Sequence, residues 1–204
     1  MSAILSDLDG VLVDSQAAIM RAWHWWGAQN GIAGEAIEAI AHGRPSREVI
    51  ELLAPHLDAV AESHVVEGLE VEDTEGIVAL PGAHALFALP DPVAVVTSGT
   101  LPLATARLRC VGLPVPEILV TPERLSRGKP DPEGYLLAAK ELGVAPAECT
   151  VLEDAPAGVL AGRAAGMHVV GITTTHDPAE LDAHELAPSI AAGLAARDGA
   201  QPGS

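Results

Sequence analysis

The feature that most constrains the fold is the alternation of short apolar strands with helices after residue 81. The predicted strands are rich in apolar and β-branched residues and span 92–97, 117–120, 150–152 and 167–172. The predicted helices between them span 101–110, 132–142 and 156–165. Strands that alternate with helices at this spacing form parallel sheets with both faces covered. The sequence therefore predicts an α/β fold with a Rossmann-like, doubly wound parallel sheet.

A block without a convincing strand interrupts this pattern. The first predicted strand is the apolar run 3–6, and the next clear strand begins at residue 92. The chain between them has helical periodicity, with Ile19, Trp23 and Trp26 at i, i+4 and i+7. We expect the chain to have three parts. The sheet core comprises residues 1–14 and 81–199, the inserted helical domain residues 15–80, and a flexible tail residues 200–204.

The charge balance and the length of the apolar runs exclude several classes of protein. Eleven Lys and Arg residues and 28 Asp and Glu residues give a net charge of −17, which repels nucleic-acid backbones and anionic membranes. The longest uncharged stretches, 76–90 and 92–106, have 15 residues each, whereas a membrane-spanning helix needs roughly 20. Asp7 and Asp9 stand where a secretory signal needs its basic start and apolar run. We expect a cytoplasmic monomer or weak dimer that binds neither nucleic acid nor membranes.

Two carboxylates follow the first predicted strand. Asp7 and Asp9 stand two residues apart, and Gly10 permits a tight turn after them. Two like charges this close resist joint ionisation unless a cation lies between them or one stays protonated. One ionised carboxylate can serve as a nucleophile and one protonated carboxyl as an acid. The alternative interpretation is a solvated acidic turn.

Another strand end and one loop carry groups that suit an anion. Thr97, Ser98 and Gly99 end the strand 92–97, where a hydroxyl and successive N–H groups can cradle an anion. Ordinary strand–turn capping is the alternative there. Lys129 lies between Gly and Pro and is one of two lysines in a chain that otherwise uses Arg, which favours a point charge in a small space. A solvent-facing lysine is the alternative.

A third strand end carries two acids. Glu153 and Asp154 follow the apolar run 150–152 immediately. Oxygen-only ligands at such a position suit Mg²⁺, which proteins bind through one or two carboxylates together with a substrate phosphate. Asp154 as the N-cap of the next helix is the alternative.

These four groups, in this order, resemble the four motifs of the haloacid dehalogenase-like hydrolase superfamily. The matching stretches are 6–15, 96–100, 128–132 and 152–158. The helical block 15–80 lies where subclass I members carry a small cap domain. The resemblance implies a Rossmann-like core and a phosphatase reaction that passes through an aspartyl-phosphate and uses Mg²⁺.

The resemblance also implies a role for each motif residue. Asp7 is the expected nucleophile, and Asp9 is the expected general acid and base. The side chains of Asp7 and Asp154 and the main-chain carbonyl of Asp9 are expected to hold Mg²⁺. Glu153 is expected to reach the metal through water. The residues expected to contact the phosphate oxygens are Thr97, Ser98, Gly99 and Lys129.

A cationic segment in the helical block is the candidate for substrate recognition. Its members are His42, Gly43, Arg44 and Arg47. The segment is similar to the substrate loop of sugar-phosphate and glycerol-phosphate phosphatases, which implies a small phosphorylated metabolite as substrate. The alternative is that the two arginines pair with Glu48 and Glu51 on a helix face.

Two other functions stay open. β-Phosphoglucomutases share the motifs and the cap type, but they carry a His in the first cap helix where this chain has Ile19. Phosphoaspartate signalling modules of the receiver type place similar residues on a parallel sheet, but they are shorter and lack an inserted cap. We therefore expect a Mg²⁺-dependent phosphatase of sugar or polyol phosphates, with a phosphosugar mutase as the alternative.

Overall fold

The computed structural model describes residues 2–41 and 44–199. The predicted tail of residues 200–204 and two members of the cationic segment, His42 and Gly43, lie outside these residues. The strands are β1 (Ala3–Ser6), β2 (Val13–Asp14), β3 (Val78–Ala79), β4 (Val93–Val96), β5 (Leu119–Val120), β6 (Cys149–Glu153), β7 (His168–Ile172) and β8 (Glu185–Ala187). The helices are α1 (Gln16–Asn30), α2 (Gly34–Glu38), α3 (Ser46–Leu53), α4 (Ala59–Glu72), α5 (Ala83–Leu86), α6 (Leu101–Cys110), α7 (Glu133–Leu142), α8 (Pro156–Ala164) and α9 (Ile190–Gly199).

Within the described residues, six strands form a parallel sheet in the order β5-β4-β1-β6-β7-β8. All four residues of β1 are buried, as expected for a central strand of a parallel sheet with both faces covered. Strands β4 and β6 flank β1, and Ser6 is in register with Val95 on one side and Leu152 on the other. The prediction of a Rossmann-like α/β fold is confirmed, and the carboxyl ends of β1, β4 and β6 meet at one edge.

The chain divides into two compact units, with boundaries between Asp14 and Ser15 and between Ile77 and Val78. The expected boundary at residue 80 is three residues late, and the block 15–80 does contain a strand. Val78 and Ala79 pair with β2 in a short antiparallel ladder, so the chain rejoins the first unit at that point. Strand β8 and helix α9 were not predicted, and β8 has only three residues and little apolar periodicity.

The second unit contains α1–α4 around its own apolar core. Trp23 and Trp26 of α1 meet edge to face at 5.5 Å, and the Trp26 indole N–H donates to Glu62 at 2.7 Å. Such pairs add to the stabilisation that burial of the rings provides. Gly31 caps the end of helix α1, and its φ of 68° is the left-handed conformation that Gly adopts without strain. In the part of the chain that the structure describes, no helix is both long and apolar enough to span a bilayer.

Candidate active site

Three buried carboxylates lie together where β1 and β6 end. Asp7 directly follows β1, Glu153 is the last residue of β6, and Asp154 comes next. An oxygen of each carboxylate lies within 4.8 Å of the other two. The Asp7 N–H donates to the Leu152 carbonyl at 2.9 Å, so the ladder between neighbouring parallel strands brings these acids together. The structure thus assembles residues that are about 145 positions apart in the chain.

The Lys129 ammonium lies among these acids. Its Nζ donates to Asp7 Oδ1 at 2.6 Å, to Glu153 Oε1 at 2.6 Å and to the Val96 carbonyl at 3.1 Å. An ammonium has three N–H donors, and these three acceptors match them in number. Lys129 therefore connects the ends of β1, β4 and β6, and the alternative of a solvent-facing lysine is excluded.

Glu153 is fully buried and accepts hydrogen bonds on both carboxylate oxygens. Besides Lys129, Oε1 accepts from the Tyr135 hydroxyl at 2.8 Å. Oε2 accepts from the backbone N–H groups of Asp154 and Ala155 at 3.0 and 3.2 Å. A Cβ at Gly158 would overlap this carboxylate, so α8 can approach it only with glycine there. These contacts support Glu153 as the anchor of Lys129, and its contact with a metal through water stays a prediction.

Burial and mutual repulsion change the acidity of this cluster. Burial, together with the charges of Glu153 and Asp9, raises the pKa of Asp7 to about 7 against the opposing effect of Lys129. Burial and the charges of Glu153 and Asp7 raise the pKa of Asp154 to about 8. Burial alone lowers the pKa of Lys129, but its two carboxylate partners outweigh that effect and raise it above its usual range. Lys129 is therefore the permanent cation of the cluster.

The cluster fits a divalent cation. Three carboxylates face one ammonium, so the buried residues carry more negative than positive charge when all are ionised. Carboxylate oxygens are the hard ligands that Mg²⁺ prefers, and the cation would relieve the repulsion that raises both pKa values. Asp7 and Asp154 are the residues that would hold it. The Asp9 main-chain carbonyl as a further ligand stays a prediction.

A threonine loop after β7 supports this edge of the site. The Thr175 hydroxyl donates to Asp154 Oδ2, and the Thr174 hydroxyl donates to the Gly10 carbonyl. Gly10 has a φ of 76°, and a Cβ there would overlap the Asp154 carboxylate. Neither threonine was predicted as a site residue, because a run of three threonines at a strand end carries no motif of its own.

The Asp9 carboxylate pairs with Arg107 of α6, whereas the Asp7 carboxylate pairs with Lys129. Its Oδ2 accepts from Arg107 Nη1 of α6 at 2.5 Å. The Arg107 side chain is only 3% exposed, whereas the Asp9 side chain is 24% exposed. Arg107 was not predicted as a site residue, because nothing in the sequence distinguishes it from the exposed Arg109 on the same helix.

Three of the predicted phosphate contacts, Thr97, Ser98 and Gly99, directly follow β4. Thr97 is buried, and its hydroxyl oxygen accepts from the Gly99 N–H at 3.0 Å. Ser98 is exposed. This is the local turn that the alternative interpretation expected, and it places the three residues beside the Val96 carbonyl that Lys129 contacts. Their binding of phosphate stays a prediction.

The described part of the cationic segment lies on the surface of the second unit. Arg44 is exposed. Arg47 is 64% exposed on its side chain and pairs with Glu51 at 2.8 Å, one helical turn away. For Arg47 the structure thus shows the helix-face pair that was the alternative, a kind of contact that contributes little to stability. Substrate contact by Arg44 and Arg47 stays a prediction.

The raised pKa values of Asp7 and Asp154 predict how pH and Mg²⁺ act on stability. Both acids have a usual pKa of 3.8, so between about pH 4 and pH 8 the folded chain holds protons that the unfolded chain has released. The contribution of these acids to stability therefore falls as pH rises through that window. Since a cation binds the deprotonated acids, saturating Mg²⁺ should raise Tm more at pH 8.5 than at pH 6.

Thermal unfolding followed by fluorescence, with EDTA or with Mg²⁺, measures this difference. An Asp154→Asn variant, which keeps the size of the side chain, should lose most of the Mg²⁺-induced shift at both pH values. A shift of equal size at pH 6 and pH 8.5 in the unmodified protein would contradict the prediction.

Comparisons with known proteins agree with this geometry. The sequence model of the haloacid dehalogenase-like hydrolase family matches residues 1–166. The chain is 47% identical over 189 residues to hexitol phosphatase A of Escherichia coli (strain K12), which covers 89% of this chain and 88% of that protein. It is 34% identical over 194 residues to glycerol-1-phosphate phosphohydrolase 2 of Saccharomyces cerevisiae, which covers 87% of this chain and 76% of that protein.

A solved structure shares the fold over almost the full length. The crystal structure of a hydrolase from Pseudomonas syringae superposes with a TM-score of 0.85 at 27% sequence identity, covering 99% of this chain and 100% of that chain. The match of the family's sequence model, the curated relatives and the buried Asp–Lys–Asp site at the sheet edge all lead to the same assignment. The chain belongs to the haloacid dehalogenase-like hydrolase family, and it is a phosphatase of that family.

Proposed function

We propose that this phosphatase hydrolyses a small sugar or polyol phosphate through a phosphoaspartate on Asp7, with Mg²⁺ bound by Asp7 and Asp154. The observation that carries the proposal is the contact of Lys129 with both Asp7 and Glu153, beside Asp154, at the end of β1. A buried carboxylate held in position by an ammonium on one oxygen has its second oxygen available as a nucleophile. Mg²⁺, when bound, supplies charge neutralisation between the carboxylates and the phosphate.

The reaction follows in two transfers. In the first, an Asp7 oxygen forms a bond to phosphorus while the ester P–O bond breaks, and Asp9 gives its proton to the departing alkoxide. In the second, Asp9 takes a proton from water as that water attacks phosphorus, and the bond between Asp7 and phosphorus breaks. Inorganic phosphate leaves, and both aspartates return to their starting states. General acid–base help of this kind contributes about 10²–10⁴-fold.

The substrate class rests on the relatives. Hexitol phosphatase A and glycerol-1-phosphate phosphohydrolase 2 are both named for phosphates of small polyols. Identity of 47% over most of both chains supports a substrate of similar size for this protein. A cytoplasmic location fits metabolites of this kind and is part of the proposal.

A phosphosugar mutase is not favoured. Ile19, at the position where the mutases carry a His, is an aliphatic side chain packed against the core of the second unit. It supplies no acid or base that would return the phosphoryl group to a second hydroxyl. Water is then the acceptor, and the product is inorganic phosphate.

A panel of phosphorylated metabolites tests the proposal. Hexitol 6-phosphates, glycerol phosphate, hexose 6-phosphates, deoxyhexose 6-phosphate and β-glucose 1-phosphate are incubated with Mg²⁺ or with EDTA, and both phosphate and sugar products are measured. We expect Mg²⁺-dependent phosphate release, fastest for the polyol phosphates. Conversion of β-glucose 1-phosphate to glucose 6-phosphate without phosphate release would overturn the proposal in favour of the mutase.

A further inference from the structure

The contact between Arg107 and Asp9 has no assigned purpose in the reaction described above. Arg107 lies in the last turn of α6, and its guanidinium donates to Asp9 Oδ2 at 2.5 Å across 98 residues of sequence. Burial of a guanidinium is unfavourable unless charged or polar partners surround it. A Leu or Met at this helix position would fill the same space without that desolvation penalty, so the arginine needs another explanation.

The fixed backbone around Asp9 does not by itself orient its carboxylate. The turn is held by hydrogen bonds from the N–H groups of Leu12 and Val13 to the Leu8 carbonyl and from the Gly10 N–H to the Val13 carbonyl. The Asp9 side chain still has two rotatable torsions, and it is partly exposed. Proton transfer needs the acid within hydrogen-bond reach of the leaving oxygen. The contact with Arg107 restricts where that carboxylate can lie.

We propose that Arg107 is a positioning residue that holds the Asp9 carboxylate in place for proton transfer to the leaving group. The inference rests on the proposed function, because it assumes that Asp9 is the general acid. In this role Arg107 acts on Asp9 and not directly on the phosphate or the leaving group. It acts through Asp9, and its buried side chain gives the partly exposed carboxylate a fixed partner.

This role affects leaving groups unequally. A polyol alkoxide is a poor leaving group and needs its proton as the ester bond breaks, whereas p-nitrophenolate departs without one. The parameter kcat/KM reports the reaction up to the first irreversible step, which here is transfer of the phosphoryl group to Asp7. The ratio of kcat/KM for a polyol phosphate to that for p-nitrophenyl phosphate therefore measures acid assistance. This ratio is also independent of the fraction of active protein in a preparation.

The experiment measures this ratio, with glycerol phosphate as the polyol ester, in the unmodified protein and in matched variants. Arg107→Met should lower the ratio by about 10–100-fold, the size expected for a misplaced catalytic group. If the Met variant is recovered poorly, Arg107→Gln, which keeps a polar side chain, replaces it. This variant should lower the ratio by a similar factor. Arg107→Lys should restore most of the ratio, and Arg109→Met, an exposed arginine on the same helix, should leave it unchanged.

An Asp9→Asn variant distinguishes the two ways of failing. If Asp9→Asn lowers the ratio and the Arg107 variants lose both activities equally, Arg107 is only structural and the inference is overturned while the proposed acid stands. If Asp9→Asn itself leaves the ratio unchanged, the proposed role of Asp9 fails, and the inference fails with it. A fall in the ratio for both Asp9→Asn and Arg107→Met supports the inference.

Discussion

An Asp7→Asn variant is expected to retain its fold and to lose turnover by about 10⁴-fold or more, the range typical for loss of a covalent nucleophile. The Asn amide nitrogen cannot form an acyl phosphate, but its carbonyl oxygen can still accept the hydrogen bond from Lys129. The substitution also removes an acid whose burial raises its pKa to about 7. We therefore expect the variant to keep its fold. Release of phosphate from a polyol phosphate and the circular dichroism spectrum measure the two parts of this result.

The matched control is Asp182→Asn, the same chemical change at a surface acid. The Asp182 side chain is 76% exposed and pairs with Arg163 at 2.6 Å, so its loss should change neither turnover nor stability measurably. Mass spectrometry of acid-quenched reactions should find a phosphorylated chain in the control and in the unmodified protein but not in Asp7→Asn. Turnover of Asp7→Asn within about tenfold of the unmodified protein would disprove the nucleophile assignment.

A Lys129→Met variant is expected to lose both activity and stability. Lys129 separates Asp7 from Glu153, and its removal leaves both buried carboxylates without their cation. Loss of one partner from a buried ion pair typically costs 3–5 kcal/mol, and about 3 kcal/mol corresponds to a fall in Tm of roughly 6–12 °C for a chain of this size. The loss should grow between pH 6 and pH 8.5, because Asp7, whose pKa burial raises to about 7, is less able to keep a proton at the higher pH.

Lys140→Met is the control for this change. Lys140 is the chain's other lysine and lies exposed on α7, so its substitution should leave Tm and turnover nearly unchanged. Thermal unfolding in EDTA isolates the effect of the ammonium from that of any bound Mg²⁺. A Tm of Lys129→Met equal to that of Lys140→Met at pH 8.5 would show that the ion pairs do not stabilise the fold.

Much of the site could be predicted from sequence because its acids stand directly at strand ends. Asp7, Glu153 and Asp154 each follow an apolar run, and the ends of parallel strands meet at one edge of a sheet. Lys129 could be predicted from its setting between Gly and Pro, in a chain whose basic residues are nearly all Arg. None of these predictions required knowledge of a side-chain direction.

Other partners could not be predicted, because helix faces and loop contacts bring them to the site. Tyr135 reaches Glu153 from α7, and Arg107 reaches Asp9 from α6. Which face of each helix meets the sheet depends on packing that no local pattern specifies. The chain's single tyrosine, six residues after Lys129, was the one available signal for Tyr135.

The sequence by itself determined the class of fold and the identity of the reactive groups, since strand–helix alternation and residues at strand ends are local properties of the chain. Only the tertiary structure decided which hydrogen-bond and charge partners each of those groups has. It placed Lys129 between Asp7 and Glu153 and gave both carboxylate oxygens of Glu153 a hydrogen-bond donor. It also brought Asp9 into contact with Arg107. The physical reason is that hydrogen-bond and charge partners depend on distances of a few ångströms between segments far apart in sequence.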